Sequence, residues 1–353
     1  MTQDKNILIK NIYYMLSYAF QVLQQPNFEE VESEEFENIH DLFAAILSKG
    51  IAQQLKQGLH REYIEKRDNG AVLRGKLDIH ENIKNAIQHQ QKLACEYDEL
   101  SANNLFNQIL KTTAYILLTQ PTVDVLRKSE LKKLLLFFSE IEIIDPRQIL
   151  WSHLIFQRNN HTYRMLINVC YFVLADLLLT EEKGQHKLAT FLNEHTMHRL
   201  FERFILEYYR YHHPQISAAA PQISWIVEEG SVDFLPTMQS DIVLQDHGKS
   251  LIIDTKYYQK TMQTYFDNIS FHSGNLYQIF TYVKNSDIFQ DGRVSGMLLY
   301  AKTDESITPN NTYTISGNRF YIRTLDLNKR FTEIRFQLDE YLSEWIRCAV
   351  DKE

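Results

Sequence analysis

Two hydrophobic runs, Ile242-Val243-Leu244 and Leu251-Ile252-Ile253, flank the polar stretch Asp246-His247-Gly248-Lys249 and constrain this chain more than any other feature. Short apolar runs bounded by turn residues read as paired strands, so the segment is expected to form a β-hairpin. Around it the pattern predicts a helix over 194–212, then strands over 223–227, 240–244 and 250–255. A helix over 275–283 and strands over 294–300 and 320–324 follow. Helix, three strands, helix and strand is an α/β core.

Upstream the chain reads as mainly helical. Ile12, Leu16, Ala19, Phe20 and Leu23 recur at helical spacing within 9–23, and Tyr13, Tyr14 and Tyr18 widen the apolar face. Further helices are expected over 41–59, 104–118, 123–144 and 163–179. The acidic run Glu29 to Glu35 reads as a solvated loop or a helix start. One β excursion interrupts the helices, since Tyr63-Ile64 and Val72-Leu73 flank Asp68-Asn69-Gly70, a sequence suited to a tight hairpin turn. The polar connector Thr180 to Lys187 divides the chain into an N-terminal domain, residues 1–190, and a C-terminal domain, residues 191–353. With 11 Gly and 7 Pro in 353 residues, most of both should be regular structure.

Composition excludes some functions. A formal net charge of -8 argues against a protein that captures nucleic acid by its own electrostatics, because phosphate contacts need clustered Lys and Arg. If such a chain cuts DNA, a partner holds the DNA. Cys95, Cys170 and Cys348 lie far apart and fit neither a disulfide framework nor a zinc spacing, so they read as reduced structural cysteines of a cytoplasmic protein. The N-terminus lacks a signal-peptide pattern, and the apolar stretch from Met165 to Leu179 is broken by Asp176 and too short to span a bilayer. His195 and His198, three apart on the expected helix, match no zinc-ligand spacing and read as ordinary surface or capping histidines, and His212-His213 reads as a helix end. No phosphate-cradling glycine loop is present in the sequence.

Chemistry concentrates on the hairpin. Asp241 opens its first run, and the second ends in Asp254-Thr255-Lys256. Alternation puts Asp254 and Lys256 on one face and Thr255 on the other, with Asp241 within reach from the neighbouring strand. Two carboxylates can hold a hard divalent cation through oxygen, and a lysine beside them can orient water or stabilise developing negative charge. That set suits phosphodiester hydrolysis, with magnesium held by Asp241 and Asp254. An Asp-x-Lys triplet alone is ordinarily a surface ion pair, but neighbouring segments add to it. Glu202 and Glu207 lie on the preceding helix, where pairing with Arg203 or Arg210 is the competing reading for Glu202. Gln278 and Tyr282, four apart on the following helix, share a face that could meet DNA or the lysine, or could simply pack.

These residues, read together with other blocks, resemble the McrC family, the nuclease subunits of McrBC modification-dependent restriction systems. The blocks are Asn11 to Ala19, Gly75-Lys76-Leu77, Leu200 to Phe204, Asp241-Ile242-Val243, Asp254 to Tyr258 and Asn275 to Gln278, spread over nearly the whole chain. The resemblance implies a PD-(D/E)xK nuclease core whose acid, acid and lysine fall on Asp241, Asp254 and Lys256. Ser240 stands where the motif has proline, which supplies backbone shape and no ligand. Gln278 and Tyr282 look like the Gln-x-x-x-Tyr element of RecB-like nucleases. The resemblance also implies a McrB-like AAA+ GTPase ring as partner, which binds GTP and recognises double-stranded DNA carrying methylated cytosine. An N-terminal finger of this family enters that ring and stimulates GTP hydrolysis, and residues 62–79 are the candidates for it here. Two alternatives compete: a non-cleaving scaffold that activates the ring, and a stand-alone RecB-like repair nuclease.

Overall fold

The computed structural model describes residues 9–19, 36, 38–156, 163–180, 194–257, 262–265, 268–302 and 308–348. The acidic run at 29–35, Tyr258 and residues 181–187 of the polar connector lie outside them. By contacts the chain forms two units. One contains residues 1–26, 32–42 and 189–353, and the other residues 27–31 and 43–188. The break after 188 falls one residue past the polar connector, but the first helix groups with residues 189–353 rather than with the rest of residues 1–190. Its aromatic face is the reason, as its packing shows below.

In chain order the helices begin with α1 (Ile9–Ala19) and α2 (Ile39–Gln57), the latter running into the second unit. That unit continues with β1 (Glu62–Gly70), β2 (Lys76–Leu77), α3 (Ile79–Ile87), β3 (Leu93–Ser101), α4 (Leu105–Thr119), α5 (Val125–Leu135) and α6 (Tyr163–Thr180). A buried polar knot joins three of these elements. Asn104 caps α4, Asn104 and Asn107 each donate to the His60 carbonyl at 2.8 Å, and Tyr163 Oη donates to Asn107 Oδ1 at 2.9 Å. Each buried polar atom named here has a partner, so the knot fixes where β1 leaves the helical body without a desolvation penalty.

The β excursion exists, but its pairing differs from a local hairpin. Strand β1 runs straight through Asp68, Asn69 and Gly70 and pairs antiparallel with β3, Asn69 facing Ala94 and Gly70 facing Leu93. Neither Asn69 nor Gly70 takes the positive φ that a tight hairpin turn requires. Asn69 is instead held by Asn85 of α3, the two side-chain amides exchanging hydrogen bonds at 2.8 and 3.2 Å. A tertiary contact therefore overrides the turn preference. The positive φ falls on Gly75, at +61°, where an added Cβ would lie 2.5 Å from the Glu96 carbonyl oxygen.

Helix α5 is likewise shorter than the expected 123–144. Lys111 Nζ donates to the carbonyls of Phe138 and Ile141, closing the helical stretch like a C-cap. Asn103 and Thr112 then take the N–H groups of Glu142 and Ile144.

The first unit contains α7 (Glu194–His212), β4 (Ser217–Ala219), β5 (Gln222–Ile223), β6 (Met238–Gln239), β7 (Ile242–Asp246) and β8 (Lys249–Lys256). It continues with β9 (Met262–Tyr265), β10 (Asn268–Phe271), α8 (Ser273–Ser286), β11 (Val294–Ala301), β12 (Asn311–Ile315), β13 (Asn318–Leu325) and α9 (Phe331–Cys348). Its main sheet has the order β12-β13-β11-β8-β7-β4. Strands β8, β11 and β13 run parallel, while β12, β7 and β4 are antiparallel to their neighbours. One face packs on α8 through Val243, Ile252, Leu298, Tyr300, Phe320 and Ile322 against Ile279, Tyr282 and Val283. Gly296 permits this closeness, because a Cβ there would sit 2.8 Å from Ile279 and 2.9 Å from Val283.

Helix α1 packs on α7. Tyr18 sits against Phe204 and Tyr208, Asn11 Nδ2 donates to the carbonyls of Leu327 and Lys329, and Tyr14 stacks on Phe331 at 4.1 Å. Among the described residues no helix is long and apolar enough to cross a membrane.

Candidate active site

Parallel strand β8 ends at Lys256, beside Tyr300 of β11, and antiparallel β7 begins at Ile242 on the same edge. Ligands of open α/β sheets bind outside the carboxyl ends of the parallel strands, and this edge is such a place. The register that pairs Ile242 with Ile253 brings Asp241 opposite Asp254 one step further on. Both acids thus arrive at the sheet edge from adjacent strands, 13 positions apart in sequence.

Asp254 and Lys256 are both buried, 1% and 6% exposed, which sets this triplet apart from a surface ion pair. Lys256 Nζ lies 2.7 Å from Asp254 Oδ2, close enough for a charge pair though not aligned as a hydrogen bond. Asp254 Oδ1 is buried with no hydrogen-bond partner among the described residues. An unsatisfied buried carboxylate oxygen is costly, and such a group is one that a bound cation or a proton can satisfy. Burial pushes the Asp254 carboxyl up to about 7; Lys256 pulls it down and Asp241 pushes it further up.

Asp241 does not turn squarely to the Asp254 and Lys256 face. It stands in a bend before β7, and its Oδ2 accepts from Thr255 N at 2.7 Å and from Thr255 Oγ1 at 2.9 Å. Ser240 anchors the approach by donating from Oγ to the Pro221 carbonyl at 2.7 Å.

The lysine is held from the other side by α8. Lys256 Nζ donates to Gln278 Oε1 at 3.0 Å, Gln278 Nε2 donates to Tyr282 Oη at 2.9 Å, and Tyr282 Oη donates to the Gln239 carbonyl at 3.1 Å. A carbonyl can only accept, so the direction of every bond in this relay is fixed, along with the orientation of the Gln278 amide. Gln278 and Tyr282 therefore belong to the lysine's surroundings. Tyr282 also packs in the core with Ile279 and Val283, as its packing reading expects, and it reaches the lysine only through Gln278.

Glu202 and Glu207 separate clearly. Glu207 is buried and paired with Arg203 at 3.1 Å and Arg210 at 2.8 Å, on a different face of α7. Glu202 feels the site. Burial pushes its carboxyl up to about 7, Asp241 adds to the rise, Arg199 and Arg203 oppose it, and Asp254 raises it further. Among the described residues no three His, Cys, Asp or Glu side chains converge tightly enough to form a metal cluster by themselves. Glu202 is thus a nearby charge, and the close carboxylates are Asp241 and Asp254. Sequence reading passed over Thr255, although its position between Asp254 and Lys256 and its hydroxyl were in plain view.

Fold and site define a mixed helix-and-sheet protein that carries a buried Asp254 and Lys256, with the half-buried Asp241 beside them, at the carboxyl edge of its central sheet. Residues 2–301 match the model of the family described as McrBC 5-methylcytosine restriction system component, and the chain belongs to that family. It is 26% identical over 345 residues to the Type IV methyl-directed restriction enzyme EcoKMcrBC of Escherichia coli (strain K12), covering 97% of this chain and 99% of that protein. The fold is similar to that of a chain in the refined half-complex from the tetradecameric assembly of Thermococcus gammatolerans McrB AAA+ hexamers with bound McrC. The TM-score is 0.53 at 19% identity, over 95% of this chain and 75% of that one.

Proposed function

We propose that this chain is the magnesium-dependent endonuclease subunit of a GTP-driven restriction complex that cleaves double-stranded DNA containing methylated cytosine. The observation that carries the reading is the buried Asp254 carboxylate, one oxygen without a partner, beside Lys256 and opposite Asp241. On this reading the C-terminal core is of the PD-(D/E)xK type.

Magnesium fits the donor set. It is bound in many phosphate-processing sites by one or two carboxylates, the rest of its shell being water and substrate phosphate. Asp241 and Asp254 would hold it, and the bound ion would supply charge neutralisation at the scissile phosphate and a more acidic water. Lys256, fixed by Asp254 and Gln278, places an ammonium where negative charge develops or where water must be oriented. Gln278 and Tyr282 keep that ammonium aimed. Glu202, whose carboxyl is raised to about 7, lies near enough to feel Asp241 and Asp254, and once ionised it would strengthen the pull on a cation.

A net charge of -8 leaves DNA capture to another subunit. The partner is a McrB-like AAA+ GTPase ring, as in the assembly that the structural relative comes from. The meeting point on this chain is the β1–β3 sheet with α3. There Tyr63, Val72, Leu73, Ile79, Ile83 and Ile87 are exposed, the three isoleucines at four-residue spacing along one helix face. A run of exposed isoleucines along one helix face is a protein-contact feature. The test is co-expression with the ring protein and cleavage of methylated DNA with and without GTP. Cutting that needs both supports the reading. Cutting by the isolated chain without GTP points to a stand-alone nuclease, and an assembled complex with no strand breaks points to a scaffold.

A further inference from the structure

Thr255 lies between the two charged residues that end β8, and it is fully buried. Its side chain turns to the sheet face opposite Asp254 and Lys256. The antiparallel ladder with β7 stops at the Ile242–Ile253 pair, so the Thr255 N–H lies beyond the last backbone partner on that edge. Asp241 Oδ2 takes the place of a strand carbonyl there, accepting from Thr255 N at 2.7 Å and Oγ1 at 2.9 Å.

We propose that Thr255 is the positioning residue for the Asp241 carboxylate, fixing Oδ2 with two donors so that Oδ1 is presented to the divalent cation. The proposal rests on the metal reading above and deepens it. The terminal torsion of an aspartate is broad, so a carboxylate held by one bond samples many planes. Two donors converging on one oxygen restrict that plane before any ion arrives. Any residue at 255 would supply the N–H. Only Thr or Ser adds the second donor, and the β-branched Thr also holds its hydroxyl in a narrow χ1 range. The backbone is pinned from the other side by Ser240, whose N and Oγ both donate to the Pro221 carbonyl. Hydrogen bonds to a ligating group from outside the metal shell tune affinity in this way.

Thr255→Val keeps shape and branching and removes only the hydroxyl. In the full chain, the magnesium concentration giving half of the thermal stabilisation is expected to rise about 10-fold in Thr255→Val. Cleavage by the partner complex should shift to higher magnesium by a similar factor and largely recover at saturation. Thr255→Ser should restore both midpoints. Should Thr255→Val not fold, Thr255→Ala against Thr255→Ser makes the same comparison. A wild-type magnesium midpoint in the variant lacking the hydroxyl overturns the proposal while leaving the metal reading intact. If the wild-type chain shows no magnesium-dependent shift that Asp254→Asn removes, the metal reading itself fails and Thr255 loses its role with it.

Discussion

Lys256 Nζ donates to Gln278 Oε1 at 3.0 Å, so a strand-end ammonium is steered by a helix amide 22 residues further along the chain. Tyr282 orients that amide in turn. Gln278→Leu should leave one lysine donor and the tyrosine oxygen unpaired, lowering the cleavage rate about 10- to 100-fold, as losing an outer partner of an active group does. Tyr282→Phe, one bond more remote, should cost less. Single-turnover cleavage by the partner complex measures both, and an unchanged rate in Gln278→Leu would remove the relay from the site.

On the proposed reading, Asp254 trades stability for function. Its carboxyl and that of Glu202 are both raised to about 7. A carboxyl raised on folding contributes stability that is present below its unfolded pKa, roughly 4, and is lost as pH climbs through its folded value. Without divalent cations the wild-type chain should therefore be more stable at pH 6 than at pH 8. Asp254→Asn, which cannot ionise, should melt higher than wild type at pH 8 and show a shallower pH dependence. Scanning calorimetry in the presence of a chelator decides this; equal melting temperatures across the range would contradict it.

The hairpin and its acids were legible because β8 and β7 are local and strongly apolar, and helix 194–212 was placed to the residue. Long-range pairing was not. Nothing near Asp68-Asn69-Gly70 announces that β1 pairs with β3, since the deciding contact, Asn69 with Asn85, lies 16 residues away. The end of α5 depends on Lys111 reaching the carbonyls of Phe138 and Ile141, which periodicity cannot register. Strand β12 and helix α9 went unread as well. Within the site, spacing brought Asp241 near Asp254, yet the lean of its carboxylate toward Thr255 depends on where the β7 ladder stops.

The two glutamates of α7 should part under mutation. Glu207→Ala removes the acceptor of two arginines that still reach water, so it should destabilise the fold by about 1–3 kcal/mol and leave the cleavage rate per folded molecule near wild type. Glu202→Ala should do the reverse, holding or raising the melting temperature while weakening cleavage at limiting magnesium. Paired melting and cleavage measurements that reversed this pattern would place Glu207 in the site instead.

Gly75→Ala tests the partner surface. The new Cβ would collide with the Glu96 carbonyl and with Tyr97, and its backbone would be strained at φ +61°. Local disruption of the β2–β3 pairing should lower stimulation of the ring's GTPase while leaving the melting of the C-terminal unit unchanged. Normal stimulation by a chain with this substitution would move the contact elsewhere.

The central claim is most directly tested by Asp254→Ala in the assembled complex with magnesium, GTP and methylated DNA, reading strand cleavage and GTP hydrolysis in one reaction. Cleavage should be abolished while stimulated GTP hydrolysis continues at the wild-type rate; cleavage retained by this variant would contradict the account.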